Sequence, residues 1–177
     1  RYSRNIFSFR WSNAEREAIG LYEVVFNNTN KKDEEYYTNT NQSFAFADGV
    51  VTASYGSATA KAHADTLYTA DDEDNGLGTE GEVKVEGLKT KKIRTIKKQA
   101  AGILQDTDWY ITRKADAGTA VPSAITTHRA AVRTKCAEME TAITNAADTP
   151  ALETLYTYTE QEDGSVTRPL GEFPDEV

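Results

Sequence analysis

An α+β chain is expected from these 177 residues, on three grounds. Residues 43–56 alternate side chains with a period of two around an Asp48-Gly49 pair, behind a β-branched and aromatic run at 21–26. From about residue 87 the period changes to 3.6 along two amphipathic stretches. Near the end a second Asp-Gly pair, Asp163-Gly164, separates two short alternating runs. The expected order is an N-terminal antiparallel β meander, a helical hairpin and a C-terminal β hairpin. Residues 1–86 form the β-rich region and end in an acidic, Gly-rich linker. Residues 87–149 form the antiparallel helical hairpin. Residues 150–177 hold a short helix, the last hairpin and a loose tail.

In chain order, Ser12 with Glu15 three residues later is a capping-box spacing, and Gly20 closes the short helix it opens. Residues 21–26 (LYEVVF) are β-branched and aromatic, hence a strand. Residues 27–42 are polar and rich in turn formers, hence a long exposed loop. In 43–56, Phe44 and Phe46 alternate before Asp48-Gly49, and Val51, Ala53 and Tyr55 alternate after it. Asp and Gly both tolerate the positive φ of a tight hairpin turn. The meander therefore contains 21–26, 43–47 and 50–55. Residues 69–82 are acidic and Gly-rich, and the main boundary is expected there.

The first long helix, 88–105, carries its apolar stripe on Ile93, Ile96, Ala100, Ile103 and Leu104, with Trp109 and Tyr110 closing its end. A loop at 115–122 follows. Ser123 is the expected N-cap of a second helix, 123–146, whose stripe is Ile125, Val132, Cys136, Met139 and Ile143. Steps of seven, four, three and four make this a heptad-like seam. Neither helix buries its stripe alone, so 88–105 is expected to pack antiparallel against 123–146. Asp148 or Thr149 caps a short helix with Pro150 in its first turn, and 156–170 is the last hairpin.

The totals narrow the function classes. Apolar residues make up 38%, thin for a self-sufficient core, which points to burial completed by a partner or by further copies of the chain. With 28 acidic residues against 20 basic ones, the chain repels phosphate backbones, and nucleic acid is not an expected partner. A single cysteine excludes an internal disulfide. No apolar run reaches the roughly 20 residues that span a bilayer, so no membrane insertion is expected. No signal-peptide pattern is present, and the sequons at Asn27 and Asn41 matter only in a secretory setting.

Each chemical constellation has a plainer alternative. His128 and Cys136 lie eight residues apart on one helix, about 12 Å along its axis, too far for a nucleophilic dyad. Cys136 is therefore a small hydrophobe of the seam. His63 has no partner histidine nearby and reads as a surface residue. Asp71, Glu73, Asn75, Gly76 and Glu82 occupy positions 1, 3, 5, 6 and 12 of an EF-hand loop. Gly78 stands where that loop wants an apolar anchor, so a solvated linker is preferred over calcium, and no metal or cofactor is expected. Residues 89–98 (KTKKIRTIKK) form a cationic patch on the polar face of the first helix, suited to solvent or to an acidic partner. Trp109, Tyr110, Arg113 and Lys114 have the composition of a protein-interface anchor, and Tyr36 and Tyr37 join them as interface candidates. No spacing places a catalytic acid beside a base, so no enzyme activity is expected.

One motif carries a resemblance. It runs Asp108-Trp109-Tyr110, then Arg113-Lys114, a loop with Pro122, and His128-Arg129-Ala130-Ala131-Val132-Arg133. Together with the β-rich front (GLYEVVFNNTN, FADGVVTASYG), this resembles small tail and tail-fibre-associated proteins of bacteriophages, above all those of marine cyanobacteria. The likeness covers most of residues 20–170. It implies a non-enzymatic virion part, a fibre- or baseplate-associated adaptor that packs against other tail or fibre proteins. Its places are the virion tail and, during assembly, the host cytoplasm. The related alternative is a tail-fibre assembly chaperone absent from the mature particle. The polar 27–42 loop and the C-terminal hairpin depart from the chaperone pattern and favour the structural part.

Overall fold

The computed structural model describes residues 11–40 and 42–176, which leaves residues 1–10, the sequon residue Asn41 and Val177 outside. Its order is α+β as expected, with strands first, helices in the middle and a strand pair last. The chain divides into two units between Ala60 and Lys61, upstream of the acidic segment where the boundary was expected.

In the first unit, Ser12 and Glu15 close the expected capping box over α1 (Asn13–Glu17). Strands β1 (Val24–Asn27), β2 (Tyr37–Thr38), β3 (Ser43–Ala47), β4 (Val50–Ser54) and β5 (Thr59–Ala60) follow. β3 and β4 form the hairpin read from Asp48-Gly49, and both turn residues take positive φ, 49° and 77°. The backbone twist of a turn with two positive φ values matches the right-handed twist of the flanking strands. The expected meander is corrected in one respect. β1 does not pair antiparallel with β3 but adds parallel to the far edge of β4, in the order β1-β4-β3. Parallel neighbours need a long crossover, and the chain from 28 to 49 supplies it. Part of the expected exposed loop is also ordered. β2 pairs with β5, and the Asn39 amide bridges both backbone groups of Lys32, at 2.9 and 2.8 Å.

The second unit opens with β6 (Thr66–Leu67), α2 (Ala70–Asp74) and β7 (Val83–Val85). The expected linker is therefore a closed excursion between two paired strands. Thr69 and Asp72 make a reciprocal capping box, and Lys84 reaches back to Asp72 at 2.7 Å. Those bonds, the Lys84 ammonium first, pull the Asp72 carboxyl down to about 2. Gly78 lies against the ring of Tyr68, where an added Cβ would sit only 2.6 Å from ring carbons.

The helices are α3 (Leu88–Gln105), α4 (Asp108–Ala117), α5 (Ser123–Asn145) and α6 (Thr149–Tyr156). α3 and α5 form the antiparallel pair. Lys89 Nζ donates to the Thr144 carbonyl at one end, Lys97 pairs with Glu140 midway, and Arg129 reaches the Leu104 carbonyl at the other end. The core between them holds Ile96 and Ala100 from α3, and Ile125, Val132, Met139 and Ile143 from α5, with Leu152 of α6 beside them. Ile93, Ile103, Leu104 and Cys136 lie at its margin, half-buried. Burying one such aliphatic side chain contributes about 1.5–3 kcal/mol. Two expected details change. Ser123 is the first residue of α5 and makes no capping bond, Pro122 being the cap residue. The α3 helix ends before Trp109 instead of running on to it. Asp148 does cap α6, accepting from the Ala151 N–H. The last hairpin is the pair β8 (Thr159–Glu160) and β9 (Val166–Thr167) around Asp163-Gly164. The tail after it is not wholly loose, since Leu170 is buried and Phe173 half-buried.

The start of α3 is held from a distance. Its cap residue, Gly87, has no side chain, and Asp65 supplies the missing acceptor. One carboxylate oxygen takes the Gly87 N–H at 2.7 Å and the other takes the Thr90 hydroxyl at 2.8 Å. The Gly87 N–H first, then the Thr90 hydroxyl, hold the Asp65 carboxyl below its ordinary 3.8. Asp65→Ala is expected to cost about 1–2 kcal/mol of unfolding free energy at neutral pH, the usual worth of a lost helix cap. A carboxylate with a depressed folded pKa stabilises above its unfolded pKa and loses that contribution as pH falls through the folded one. The gap between wild type and Asp65→Ala in urea unfolding should therefore be full at pH 6 and close below pH 3.8. A gap that persisted undiminished at the acid end would remove the ionic account of this cap.

Candidate interaction surfaces and the pocket beside Trp109

Among the described residues, the three-stranded sheet of the first unit carries an apolar face that is largely exposed. Register puts Val24, Val51 and Phe46 in one cross-strand row, and Phe26, Ala53 and Phe44 in the next. Paired residues share a face, so all six side chains stand on the same side. Only Ala53, in the middle strand, is fully buried. Phe26, Phe44 and Phe46 are 59–63% exposed, and the Tyr22 ring lies 4.5 Å from that of Phe46. Three exposed phenylalanines on two adjacent rows of one sheet face are the unusual feature here, because scattered exposed apolar residues are ordinary and contiguous ones are not.

The second surface is α4 and its junction with α3. Thr107 breaks the helix, with its hydroxyl and its N–H both donating to the Leu104 carbonyl. α4 then runs to Gly118, whose left-handed backbone returns an N–H to the Lys114 carbonyl. Every residue of α4 except the half-buried Tyr110 is exposed, so packing alone does not hold the helix. Arg129 of α5 holds it. The buried guanidinium donates to Leu104 O and Thr107 Oγ1, both at 2.6 Å, and to Asp108 Oδ1 at 2.7 Å. On the outside, the rings of Trp109 and Tyr110 stack at 3.8 Å, and the Arg113 guanidinium lies 4.7 Å from the first and 5.6 Å from the second. A guanidinium over aromatic faces stiffens the cluster by cation–π attraction. Trp109 remains 51% exposed and Lys114 is exposed beside it. Under this cluster lies a pocket of about 230 Å³, lined by Ile103, Asp106, Thr107, Trp109, Tyr110, Ile125, His128 and Glu176.

Of the expected interface residues Trp109, Tyr110, Arg113 and Lys114, the first three form one cluster, and Lys114 is exposed on the same helix. Tyr36 and Tyr37 leave the list of interface candidates, because both are buried. The Tyr37 ring carries the Lys32 ammonium at 4.6 Å. The cationic patch is also not wholly a solvated face. Lys92 is buried, with its ammonium 4.1 Å from the centre of the Tyr156 ring. Cys136 sits at the seam margin with its thiol 3.4 Å from Glu140 Oε1, and burial first, then that carboxylate, push the thiol pKa up. A raised pKa suppresses the reactive thiolate. His63 is half-buried, and its carbonyl accepts the Lys89 N–H at the start of α3. In the calcium-like loop, Asp71 and Glu73 lie on the helical turn of α2, the Asn75 amide donates to the Asp71 carbonyl, and Glu73 accepts the Glu80 N–H. An EF-hand loop needs these oxygens turned toward one centre. Among the described residues no group of three or more Asp, Glu, His or Cys converges in that way. His128 and Arg129, which the sequence reading named only in the rejected dyad with Cys136 and in the phage-like motif and did not place in the seam, are both buried under α4.

Fold and surfaces together define an α+β protein that displays aromatic side chains on a sheet face and on a short helix. Comparison with known proteins gives no match to any family profile, curated protein or solved structure. Among the described residues no helix is long and apolar enough to cross a membrane.

Proposed function

We propose that this chain is a non-enzymatic structural component of a bacteriophage tail, a fibre- or baseplate-associated adaptor that works by packing against other tail or fibre proteins. The observation that carries the reading is the exposed face of Phe26, Phe44 and Phe46. An isolated three-stranded sheet gains stability by covering its apolar face, and an adaptor does so on its neighbour. The Trp109–Arg113 cluster adds the residue types that dominate interface energetics. The motif from Asp108 to Arg133 supplies the link to phage tails.

Quantitative mass spectrometry of gradient-banded phage particles tests the proposal. A fixed, near-integer ratio to the major tail proteins supports a virion part. Absence from particles with abundance in the infected lysate replaces it by the assembly-chaperone reading. With a partner in hand, Trp109→Ala is expected to weaken binding by about tenfold or more, as for a central aromatic anchor. Cys136→Ser should leave binding unchanged. Equal effects of the two substitutions would remove Trp109 from the contact.

A further inference from the structure

The pocket under α4 has a chemistry of its own. His128 forms one wall. The residue is only 7% exposed, and its ring makes no hydrogen bond to any other described residue. The ring nitrogens are not among the sealed, unsatisfied polar atoms of the described residues, and an imidazole on a cavity wall can bond a ligand there. The aromatic wall is Trp109 and Tyr110. Asp106 and Glu176 add two carboxylates, and Ile125 closes the apolar side.

Both acidic side chains that line the pocket are carboxylates without a bound cation among the described residues, while the Arg129 and Arg113 guanidiniums and the start of α4 stand around it with the opposite sign. Ile103, Asp106 and Thr107 stand at the C-terminal end of the 18-residue α3, where unpaired carbonyls gather partial negative charge. The two carboxylates add to it, and aromatic faces attract cations as well. The fold already uses this helix end to hold one guanidinium, that of Arg129, on the Leu104 carbonyl. It holds a second, that of Arg113, on the Trp109 and Tyr110 rings. Arg129 spends its positive charge on Asp108 and leaves Asp106 and Glu176 without a cation among the described residues.

We propose that this pocket is a guanidinium-binding site that takes the side chain of an arginine presented by a partner protein. A planar guanidinium stacks on an indole, forks onto a carboxylate and gives up its hydration more readily than an ammonium does. Its remaining N–H can be accepted by the unprotonated nitrogen of His128. A volume of about 230 Å³ holds one such side chain and not a larger cofactor. This deepens the adaptor reading by naming what the partner presents, and depends on that reading for the partner but not for the chemistry of the pocket.

The test uses the whole chain, uniformly labelled with nitrogen-15, and N-acetyl-arginine amide as the probe. Nitrogen–proton spectra follow the Trp109 indole and the His128 ring during titration. Saturable shifts at both groups are expected, with N-acetyl-lysine amide binding about fivefold more weakly and N-acetyl-norleucine amide not at all. Asp106→Asn and Trp109→Leu should each weaken the arginine probe by about fivefold, and raising salt should weaken it further. Asp106 and Trp109 are exposed, so neither substitution endangers folding. A Gly-Arg-Gly peptide that binds at least as well as free arginine points to a protein-borne side chain, and a strong preference for free arginine overturns the partner half of the proposal. No shift at either group, equal binding of all three amides, or indifference to both substitutions overturns the site itself. Particle mass spectrometry reads the adaptor role separately, so the two failures are distinguishable.

Discussion

Met139→Asp unfolds the helical half of the chain. Met139 is 1% exposed at the centre of the α3–α5 seam, with Val132 and Ile143 buried on the same face of α5. The buried cation of α3, Lys92, has its ammonium on the Tyr156 ring, and Lys97 is engaged by Glu140 at the surface, so a carboxylate placed there would have to draw one of them from its present contact. The substitution removes the apolar contacts of a long flexible side chain and forces either a buried charge or a protonated, half-satisfied acid. The expected cost is at least about 4 kcal/mol, comparable with much of the stability of an ordinary domain. Circular dichroism at 222 nm should fall sharply, because α3 and α5 supply most of the helical residues. Met139→Leu keeps volume and apolarity and should cost less than about 1.5 kcal/mol. If Met139→Asp left both the helical signal and the thermal midpoint in place, the two helices would not be packed through this residue.

This seam was the most legible part of the molecule, and the reason is physical. A helix that must bury one side declares its period in the sequence, and Ile96, Ala100, Val132, Met139 and Ile143 kept that period. The Asp-Gly turns at 48–49 and 163–164 were legible for a similar reason, since few residue pairs suit the positive φ of a tight turn, which both Asp48 and Gly49 take in the first and Gly164 in the second. Strand pairing was less so. The β-branched and aromatic run at 21–26 marks a strand, but not whether it adds to β3 or to β4, because the register that places Phe26 beside Ala53 is set by a crossover whose path the pattern does not encode. The acidic segment 69–82 was misread through its composition. Thr69 and Asp72 stand at a capping spacing, and that local signal outweighs the abundance of acid and glycine around it.

The pocket side of α5 was hidden for a different reason. The apolar stripe jumps seven residues from Ile125 to Val132, and a helix cannot leave that turn empty. His128 and Arg129 fill the gap, three and four residues beyond Ile125. Counting apolar residues passed over them, yet the gap itself was the signal that a polar group had been drawn into the seam. The break at Thr107 was concealed in the same way, because α4 continues the apolar rhythm of α3 while turning away from it.

Arg129→Met is expected to release α4. Methionine keeps the apolar stem that fills the seam and removes the guanidinium. Three bonds are lost together, to Leu104 O, Thr107 Oγ1 and Asp108 Oδ1. The Asp108 carboxylate is 57% exposed, so that arm is screened by water and contributes little. The bonds to Leu104 O and Thr107 Oγ1 lie in a part-buried junction, and their loss should cost about 2–3 kcal/mol in all. Arg129→Lys should recover only part of this, since an ammonium cannot fork between the α3 end and the start of α4. Hydrogen exchange separates a local effect from a global one. Protection should collapse across 108–117 while the amides of α3 from Ile96 to Ala100 and those of α5 around Val132 lose only what the change in overall stability demands. The same variant should lose the ordered stack of Trp109 and Tyr110, seen as a weaker near-ultraviolet dichroism from the indole, because that stack stands on the first turn of the helix that Arg129 anchors. If α4 kept its protection in Arg129→Met, its place would be fixed by the Thr107 turn alone, and the buried guanidinium would serve only to fill the seam.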